Sequence, residues 1–408
     1  MTADAVPART DVLQNLRDFP RALSLSGALA GFLVVITGYT GPLLLVTTAA
    51  AAANLPPDLT ASWIVSITVG NGVMTILQSL YYRQPIIAPW STAGVALLIT
   101  TLPTITMPQA VGAYIACAVG ITLIGISGWF GRLMRLVPEP VVAGLLAGIL
   151  FNFGRGVYTA LGQTEDLILW IMVAAMIVTF FLMKRLGARA PTLAVMVVGG
   201  VIAAFDGRIR FENLDLALTP PVLILPEFDL YAMTAVGVPL MALALTSQYA
   251  PGDAVLRTSG YDAPINGILR NTGIASVIIA LFGGHGATLG ALTAAMVASP
   301  DSQPDPDRRY ASSVVSGILY VVFGLFGTTI LTFFAGFPRL LVEVVAGLAL
   351  MGTIVSGLTG ATADPKGRDA GVAAFFITVS GITLLGVAAP FWGLVLGVGI
   401  YALLNKWK

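Results

Sequence analysis

Charged side chains are scarce in this sequence. Asp, Glu, Lys and Arg make up 10% of its 408 residues and hydrophobic residues 57%, whereas about a quarter of the residues of a soluble domain are charged. The mean hydropathy is +0.89, and no polar stretch is long enough to hold a separate soluble domain. The sequence therefore predicts an all-α polytopic membrane protein embedded in the lipid bilayer. A net charge of +1 gives no basis for a nucleic-acid partner.

Nucleophilic and metal-binding side chains are also rare. There is one cysteine, Cys117, which cannot form an intrachain disulfide, and one histidine, His285. Cys117 lies in an apolar segment and is interpreted as a small core residue. No set of Asp, Glu, His or Cys in the hydrophobic segments has the spacing of a metal or nucleophile site. This argues against an intramembrane enzyme, and neither a cofactor nor a metal is predicted.

The first twenty residues are polar and carry no apolar stretch typical of a signal peptide. Their charged residues are Asp4, Arg9, Asp11, Arg17 and Asp18. We expect no cleavable signal peptide, and we expect the first hydrophobic segment to direct insertion into the membrane.

The hydrophobic segments predict fourteen membrane spans, since one span needs about 20 apolar residues. In the first half they are 22–53, 59–82, 85–102, 108–130, 138–158, 164–186 and 190–206. In the second half they are 229–250, 264–283, 286–300, 308–335, 338–359, 367–387 and 389–406.

The distribution of basic residues predicts the orientation. With a cytoplasmic N-terminus, 17 of the 21 Lys and Arg residues fall on the inner side, as the positive-inside rule requires. The four on the outer side are Arg155, Arg208, Arg210 and Arg339. We therefore expect a multi-pass protein of the inner (plasma) membrane with both termini in the cytoplasm.

The two halves of the sequence resemble each other. The segment 138–145 at the start of the fifth span is similar to 338–348 at the start of the twelfth, and 91–94 is similar to 287–290. Because seven spans is an odd number, the second copy must enter the membrane from the opposite side. The pattern predicts a 7+7 inverted repeat, an arrangement typical of secondary transporters.

The third and tenth spans are predicted to be broken. Pro85 and Pro89 favour extended backbone before a short helix capped by Ser91 or Thr92. In the second copy, glycines at 283, 284 and 286 precede Thr288, which is the expected cap there. Interrupted helices at membrane depth are typical of transporter binding sites, because unwound backbone persists only where it lines a cavity.

Two opposed helix N-termini would bind a small monoanion without a buried Lys or Arg. Tyr39, Trp90 and Phe282 offer flat surfaces for a ring, although each could equally be a core aromatic. Gln248 could hold a carboxylate oxygen or merely satisfy a helix end. The candidate substrate-binding residues are Tyr39, Thr40, Trp90, Ser91, Thr92, Ala93, Gly94, Ser247, Gln248, Gly286, Ala287, Thr288 and Leu289.

Several motifs across nearly the whole chain resemble the benzoate:proton symporter family, BenE. They are 38–40, 89–94, 247–248 followed by 254–257, 282–285 with 292–295, 304–306 with 308–310, and 346–354. The resemblance implies the fold shared with nucleobase:cation symporters and sulfate/bicarbonate transporters. It implies a core domain of spans 1–4 and 8–11 (residues 1–136 and 229–336) and a gate domain of spans 5–7 and 12–14 (residues 137–228 and 337–408).

Three residues are candidates for proton coupling. His285 lies on the broken tenth span and titrates near neutral pH when unperturbed, although a lone histidine often only bonds a neighbouring backbone group. Glu343 is one turn into the twelfth span and could be interfacial. Asp253 is placed to pair with Arg257 at i+4. Alternatively, the ligand itself carries the proton.

The sequence as a whole predicts proton-coupled uptake of benzoate or a similar aromatic monocarboxylate by alternating access. A nucleobase or inorganic-anion transporter of the same fold, and a passive anion channel, are the alternatives. The expected partners are a small carboxylate and a proton, and a homodimer is one option for the oligomeric state.

Overall fold

The computed structural model describes residues 6–40, 42–136, 138–162, 165–187, 191–210, 216–300, 302–384 and 387–405, and within these ranges most of the chain is helical. The first ten helices are α1 (Val12–Ala22), α2 (Leu25–Thr40), α3 (Pro42–Ala52), α4 (Pro57–Tyr82), α5 (Thr92–Thr101), α6 (Met107–Ser127), α7 (Phe130–Leu136), α8 (Glu139–Gly162), α9 (Leu167–Arg185) and α10 (Pro191–Phe205). The second ten are α11 (Leu230–Ala232), α12 (Val238–Ala244), α13 (Ala250–Thr258), α14 (Ile265–Ala280), α15 (Leu292–Ala298), α16 (Tyr310–Gly324), α17 (Gly327–Ala335), α18 (Arg339–Ala363), α19 (Arg368–Val379) and α20 (Ala389–Leu404).

Every predicted span overlaps a helix, or a run of helices, of the described chain. The first span is two helices, α2 and α3, which meet at Gly41, a residue outside the described ranges. Two π-helical turns, Met233–Gly237 and Leu245–Tyr249, join α11, α12 and α13 into one span. By length and hydropathy, seven continuous helices or helix runs within the described residues are able to cross a membrane, and an eighth candidate is α16 with α17, which bend by 78°.

The thirteenth predicted span differs most from the structure. Its helix, α19, ends at Val379, and two short antiparallel strands follow, β1 (Thr383–Leu384) and β2 (Val387–Ala388). Gly381 has a φ of +66°, a left-handed conformation that glycine adopts without strain and that ends the helix. The expectation of a helix to residue 387 is therefore wrong, and apart from this strand pair the regular secondary structure of the described residues is helical.

Small residues allow the longest helices to pack closely. A Cβ at Gly144 of α8 would clash with the carbonyl oxygen of Gly371 of α19. On the other side of the molecule, Gly72 of α4 and Gly317 of α16 face each other in the same way, each Cβ position lying 2.7 Å from the other's carbonyl oxygen. Such contacts are typical of membrane helices, where close backbone approach replaces the hydrophobic driving force of water.

The helices form two packed groups. Helices α4, α16, α2, α14 and α6 contact one another, and α8, α18, α19 and α20 contact one another, with α9 against α10 and α18. A cavity lies between α8 and α18 of the second group and the broken segments held by the first.

Candidate functional site

Two extended segments cross near the centre of the first group of helices. Residues 84–91 connect α4 to α5, and residues 282–291 connect α14 to α15. The amide of Thr288 donates to the carbonyl of Pro89 at 2.9 Å, and that of Gly290 donates to Ile87 at 3.0 Å. The segments thus run antiparallel and satisfy part of each other's backbone, which has no water to bond at membrane depth.

Side-chain hydroxyls hold the rest of the crossing. On α4, Thr75 accepts a hydrogen bond from the amide of Ala88 at 2.9 Å, and Ser79 donates to Ile86 at 2.7 Å. On α14, Ser276 accepts from the amide of Ala287 at 2.9 Å. The crossing is therefore fixed by buried hydrogen bonds from helices that flank it on both sides.

Ser91 caps α5, as the sequence predicts. Its hydroxyl accepts from the amide of Gly94 at 3.0 Å, and its backbone is extended. Thr92 and Ala93 begin the helix and line the cavity. The amides at these first two positions have no acceptor within an α-helix and carry its positive dipole end.

The second predicted cap is wrong. Thr288 does not begin a helix, because its amide and its hydroxyl both donate to the carbonyl of Pro89, each at 2.9 Å. The chain remains extended until α15 begins at Leu292, and α15 has only seven residues. Two opposed capped helix N-termini were expected at the site. Of these two helices, α5 has a side-chain cap and α15 does not.

The cavity beside this crossing has a volume of about 590 Å³. One wall is formed by Thr37, Gly38, Pro89, Trp90, Thr92, Ala93, Thr246, Ser247, Gln248, Pro251, Gly290, Ala291, Leu292, Thr293 and Tyr320. The opposite wall is formed by Glu139, Val142, Ala143 and Leu146 of α8 and by Ala349, Gly352, Ser356, Gly357 and Gly360 of α18. None of these residues is a Lys or Arg.

Several polar groups at the cavity have no hydrogen-bond partner among the described residues, and three of them are notable. Gln248 lies in the π-helical turn, a geometry common at functional sites, and its side-chain amide makes no bond within the described protein. The indole Nε1 of Trp90 and the hydroxyl of Thr293 are buried without a partner. Buried polar groups are nearly always hydrogen-bonded, and of these three the partly buried amide of Gln248 is the one accessible to a ligand in the cavity.

Aromatic rings border the same space. Trp90 and Tyr320 both line the cavity, and their ring centroids are 5.8 Å apart at an interplanar angle of 73°. Tyr39 stacks on Tyr320, with centroids 6.2 Å apart and planes inclined at 25°. The edge-to-face pair of Trp90 and Tyr320 is a suitable surface for a flat ring.

The structure brings five of the predicted binding residues to the cavity: Trp90, Thr92, Ala93, Ser247 and Gln248. The others pack outside the cavity lining: Tyr39, Ser91, Gly94, Gly286, Ala287, Thr288 and Leu289. Thr40 is the last residue of α2, and its side chain lies outside the described part of the structure.

His285 lies in the core and does not line the cavity. Its Nδ1 accepts a hydrogen bond from the indole of Trp63 at 3.2 Å, and its ring is 6.5 Å from that of Tyr114. Its Nε2 is buried without a hydrogen-bond partner among the described residues. Because Nδ1 is an acceptor, the neutral ring carries its proton on Nε2. A charged ring would place two donors against each other at Trp63.

The two acidic candidates are also outside the cavity lining. Asp253 pairs with Arg257 at 2.9 Å, the predicted i+4 contact. Glu343 pairs with Arg339 at 2.6 Å at the exposed start of α18. The acidic residue that does line the cavity is Glu139, at the start of α8.

Several cavity residues were not predicted from the sequence. Tyr320 is an isolated aromatic in an apolar helix, and no local pattern distinguishes it. The α8 residues Glu139, Val142, Ala143 and Leu146 share one helix face at i, i+3, i+4 and i+7. Both helices of this wall begin with the repeated segments near Pro138 and Pro338, so the internal repeat was the available signal.

Comparison with known proteins gives a consistent result. A family model described as benzoate membrane transport protein matches residues 21–403. The benzoate membrane transport protein of Acinetobacter baylyi is 35% identical over 393 residues, covering 96% of this chain and 98% of that protein. The inner membrane protein YdcO of Escherichia coli is 35% identical over 378 residues, covering 92% of this chain and 95% of that protein.

A solved structure shares the fold. The transmembrane domain of a cyanobacterium bicarbonate transporter, BicA, superimposes with a TM-score of 0.62 at 16% identity, covering 97% of this chain and 100% of that chain. At this identity the likeness concerns the fold alone.

Proposed function

This chain belongs to the BenE family of benzoate membrane transport proteins, which are membrane transporters and not enzymes, and from this premise we propose that it is a secondary active transporter. Its substrate is benzoate or a similar aromatic monocarboxylate, taken up together with a proton by alternating access. It acts in the inner membrane, with both termini in the cytoplasm.

The proposed topology is fourteen spans in a 7+7 inverted repeat. It is supported by the overlap of every predicted span with helical structure and by the broken third and tenth spans that cross. The two packed groups of helices support a core domain (1–136 and 229–336) and a gate domain (137–228 and 337–408). Movement of one group against the other would expose the site to each side in turn.

The cavity is the observation that carries the proposed substrate. It joins the start of α5, the free amide of Gln248 and the indole of Trp90 in one space bordered by aromatic rings. A carboxylate accepts hydrogen bonds from such donors, and the rings cover an aromatic body. A cavity without Lys or Arg suits a single negative charge rather than a multiply charged anion.

The end of the cavity at Glu139 and Gly360 suggests which conformational state the structure represents. It reaches Glu139 at the start of α8 and Gly360 near the end of α18. Under the proposed orientation both lie on the cytoplasmic side. The cavity is then open inward, the state from which substrate is released into the cell.

None of the three proton-coupling candidates, His285, Asp253 and Glu343, lines this cavity. The hydrogen bond from Trp63 suits His285 to a neutral, structural role in the core. We therefore favour transport of the proton on the substrate carboxylate itself, which makes the neutral acid the species that crosses the apolar part of the pathway.

A binding screen separates this function from its alternatives. The purified protein is heated with benzoate, uracil, sulfate or bicarbonate, and its unfolding temperature is recorded, because a ligand of the native state raises it. We expect benzoate to give the largest rise. A larger rise with uracil would favour a nucleobase transporter, and one with sulfate or bicarbonate an inorganic-anion transporter. Conductance that does not saturate would support a channel.

Glu139 should weaken anion binding from the cytoplasmic side. It is two helical turns from Leu146 along the cavity, about 10 Å, and makes no ion pair within the described residues. Glu139→Gln removes one negative charge, so we expect about a twofold to fivefold gain in benzoate affinity at low salt and less at high salt. Glu343→Gln, a paired carboxylate outside the cavity, is the control. Equal affinities for both variants at low salt would contradict this role.

A further inference from the structure

Gly352 lies on the cavity wall formed by α8 and α18. The packing of these helices does not require a glycine at this position. A Cβ placed on it meets no other atom within 4 Å, although the residue lines the cavity. A glycine inside a helix is destabilising relative to alanine. The room beside Gly352 is therefore cavity space that a side chain would occupy.

Two other glycines on the same face of α18 are different. A Cβ at Gly357 would lie 3.1 Å from the carbonyl oxygen of Ala143, and one at Gly360 would lie 3.0 Å from the Cβ of Ala143. Both are needed for the close approach of α8. Among the α18 glycines that line the cavity, Gly352 is the one that leaves free space in the cavity without being needed for the contact with α8.

The depth of Gly352 follows from the contacts on either side of it. Gly347 approaches the carbonyl of Phe153, and Gly357 approaches Ala143 and Ala147. Helices α8 and α18 are thus antiparallel. Gly352 of α18 lies at the level of the residues that follow Leu146 in α8. Along α18, Gly352 is eight residues, or about 12 Å, from Gly360, which lines the cytoplasmic end of the cavity under the proposed orientation. Gly352 therefore lines the cavity at a distance from its Glu139 and Gly360 end, and Trp90 lines the same cavity.

We propose that Gly352 determines the size of the substrate, by leaving room for a planar six-membered ring between α18 and the aromatic wall. The proposal rests on the proposed transport of an aromatic carboxylate and specifies which residue admits the ring. A Cβ at 352 would enter that room without contacting a neighbouring protein atom, and a larger side chain would fill more of it. It should exclude benzoate before it excludes a carboxylate with a smaller flat ring.

The test is a graded series, Gly352→Ala, Gly352→Val and Gly352→Leu, with the dissociation constants of benzoate and 2-furoate measured on purified protein. Both ligands are flat carboxylates, and the five-membered ring of 2-furoate is smaller. We expect benzoate affinity to fall stepwise, by about tenfold or more for leucine, which is the size of an overpacking effect. The affinity for 2-furoate should fall less at each step.

Gly156→Ala, Gly156→Val and Gly156→Leu are the matched controls. Gly156 is a helical glycine of α8 that also has no atom within 4 Å of a built Cβ, and it is not among the residues lining the cavity. These variants undergo the same changes in helix propensity, and we expect them to bind both ligands like the wild type. The unfolding temperature of each Gly352 variant should equal or exceed that of the wild type, which separates lost binding from misfolding.

Two results would overturn the inference. One is a Gly352→Leu protein that binds benzoate as tightly as the wild type. The other is an equal loss of benzoate and 2-furoate at every step, which would indicate a general disturbance without size selection. A wild-type protein that binds neither carboxylate would instead contradict the proposed function, and the size-selection inference with it.

Discussion

Replacement of Gln248 by alanine is expected to weaken benzoate binding by about 10- to 100-fold. The Gln248 amide faces the cavity without a protein partner, so a bound carboxylate would accept its hydrogen bond. A hydrogen bond to a charged group is worth about 1.5–3 kcal/mol, which corresponds to this loss of affinity. Isothermal titration of purified protein with benzoate measures the effect directly.

Two further variants sharpen this test. Ser247→Ala is the neighbouring control, because the Ser247 hydroxyl already donates to the carbonyl of Leu243 and is not free for a ligand. Gln248→Glu should bind benzoate poorly at neutral pH, where two carboxylates repel, and should recover as acidification protonates the new side chain. Wild-type affinity in Gln248→Ala would mean that this amide only satisfies the helix and that the carboxylate binds elsewhere.

Replacement of Gly286 by alanine is expected to slow transport strongly by disrupting the crossing of the two extended segments. Gly286 has a φ of +100°, and a Cβ there would lie 2.8 Å from the hydroxyl oxygen of Ser276. That hydroxyl accepts the hydrogen bond from the amide of Ala287. Strained backbone of this kind costs about 1–3 kcal/mol, so we expect a lower unfolding temperature together with more than tenfold slower uptake of benzoate.

Gly187→Ala is the matched control for this strain. Gly187 also has a positive φ, +71°, but a Cβ there meets no atom within 4 Å. The Gly187→Ala variant should keep nearly full uptake of benzoate, because the strained residue follows α9 and does not line the cavity. If Gly286→Ala transports benzoate like the Gly187 variant, the precise geometry of the crossing is not required for function.

The sequence predicted well whatever depends on local pattern. Hydrophobic length located the helices, proline placed the extended segment before α5, and a serine at the right position gave the cap at Ser91. The i+4 spacing of Asp253 and Arg257 likewise gave their ion pair. Each of these features is determined by residues within one or two turns of one another.

The errors and omissions concern contacts between distant parts of the chain. Thr288 had the local features of a cap, but its hydrogen bonds to Pro89, 199 residues away, keep it in extended backbone. The sequence predicted His285 beside the binding site, but in the structure its ring packs against Trp63 and Tyr114 in the core. The cavity wall of α8 and α18 consists largely of Gly, Ala and Val, residues that also pack ordinary membrane helices.

The central claim is that this protein couples the uptake of an aromatic carboxylate to a proton. The most direct test is purified protein in liposomes with labelled benzoate outside, with the interior buffered either at the external pH or at a more alkaline pH. Liposomes without protein correct for passive entry of benzoic acid. The account predicts that protein-dependent accumulation exceeds the external concentration only under the inward proton gradient, and that Gln248→Ala reduces it. Protein-dependent uptake that is the same with and without the gradient would contradict proton coupling.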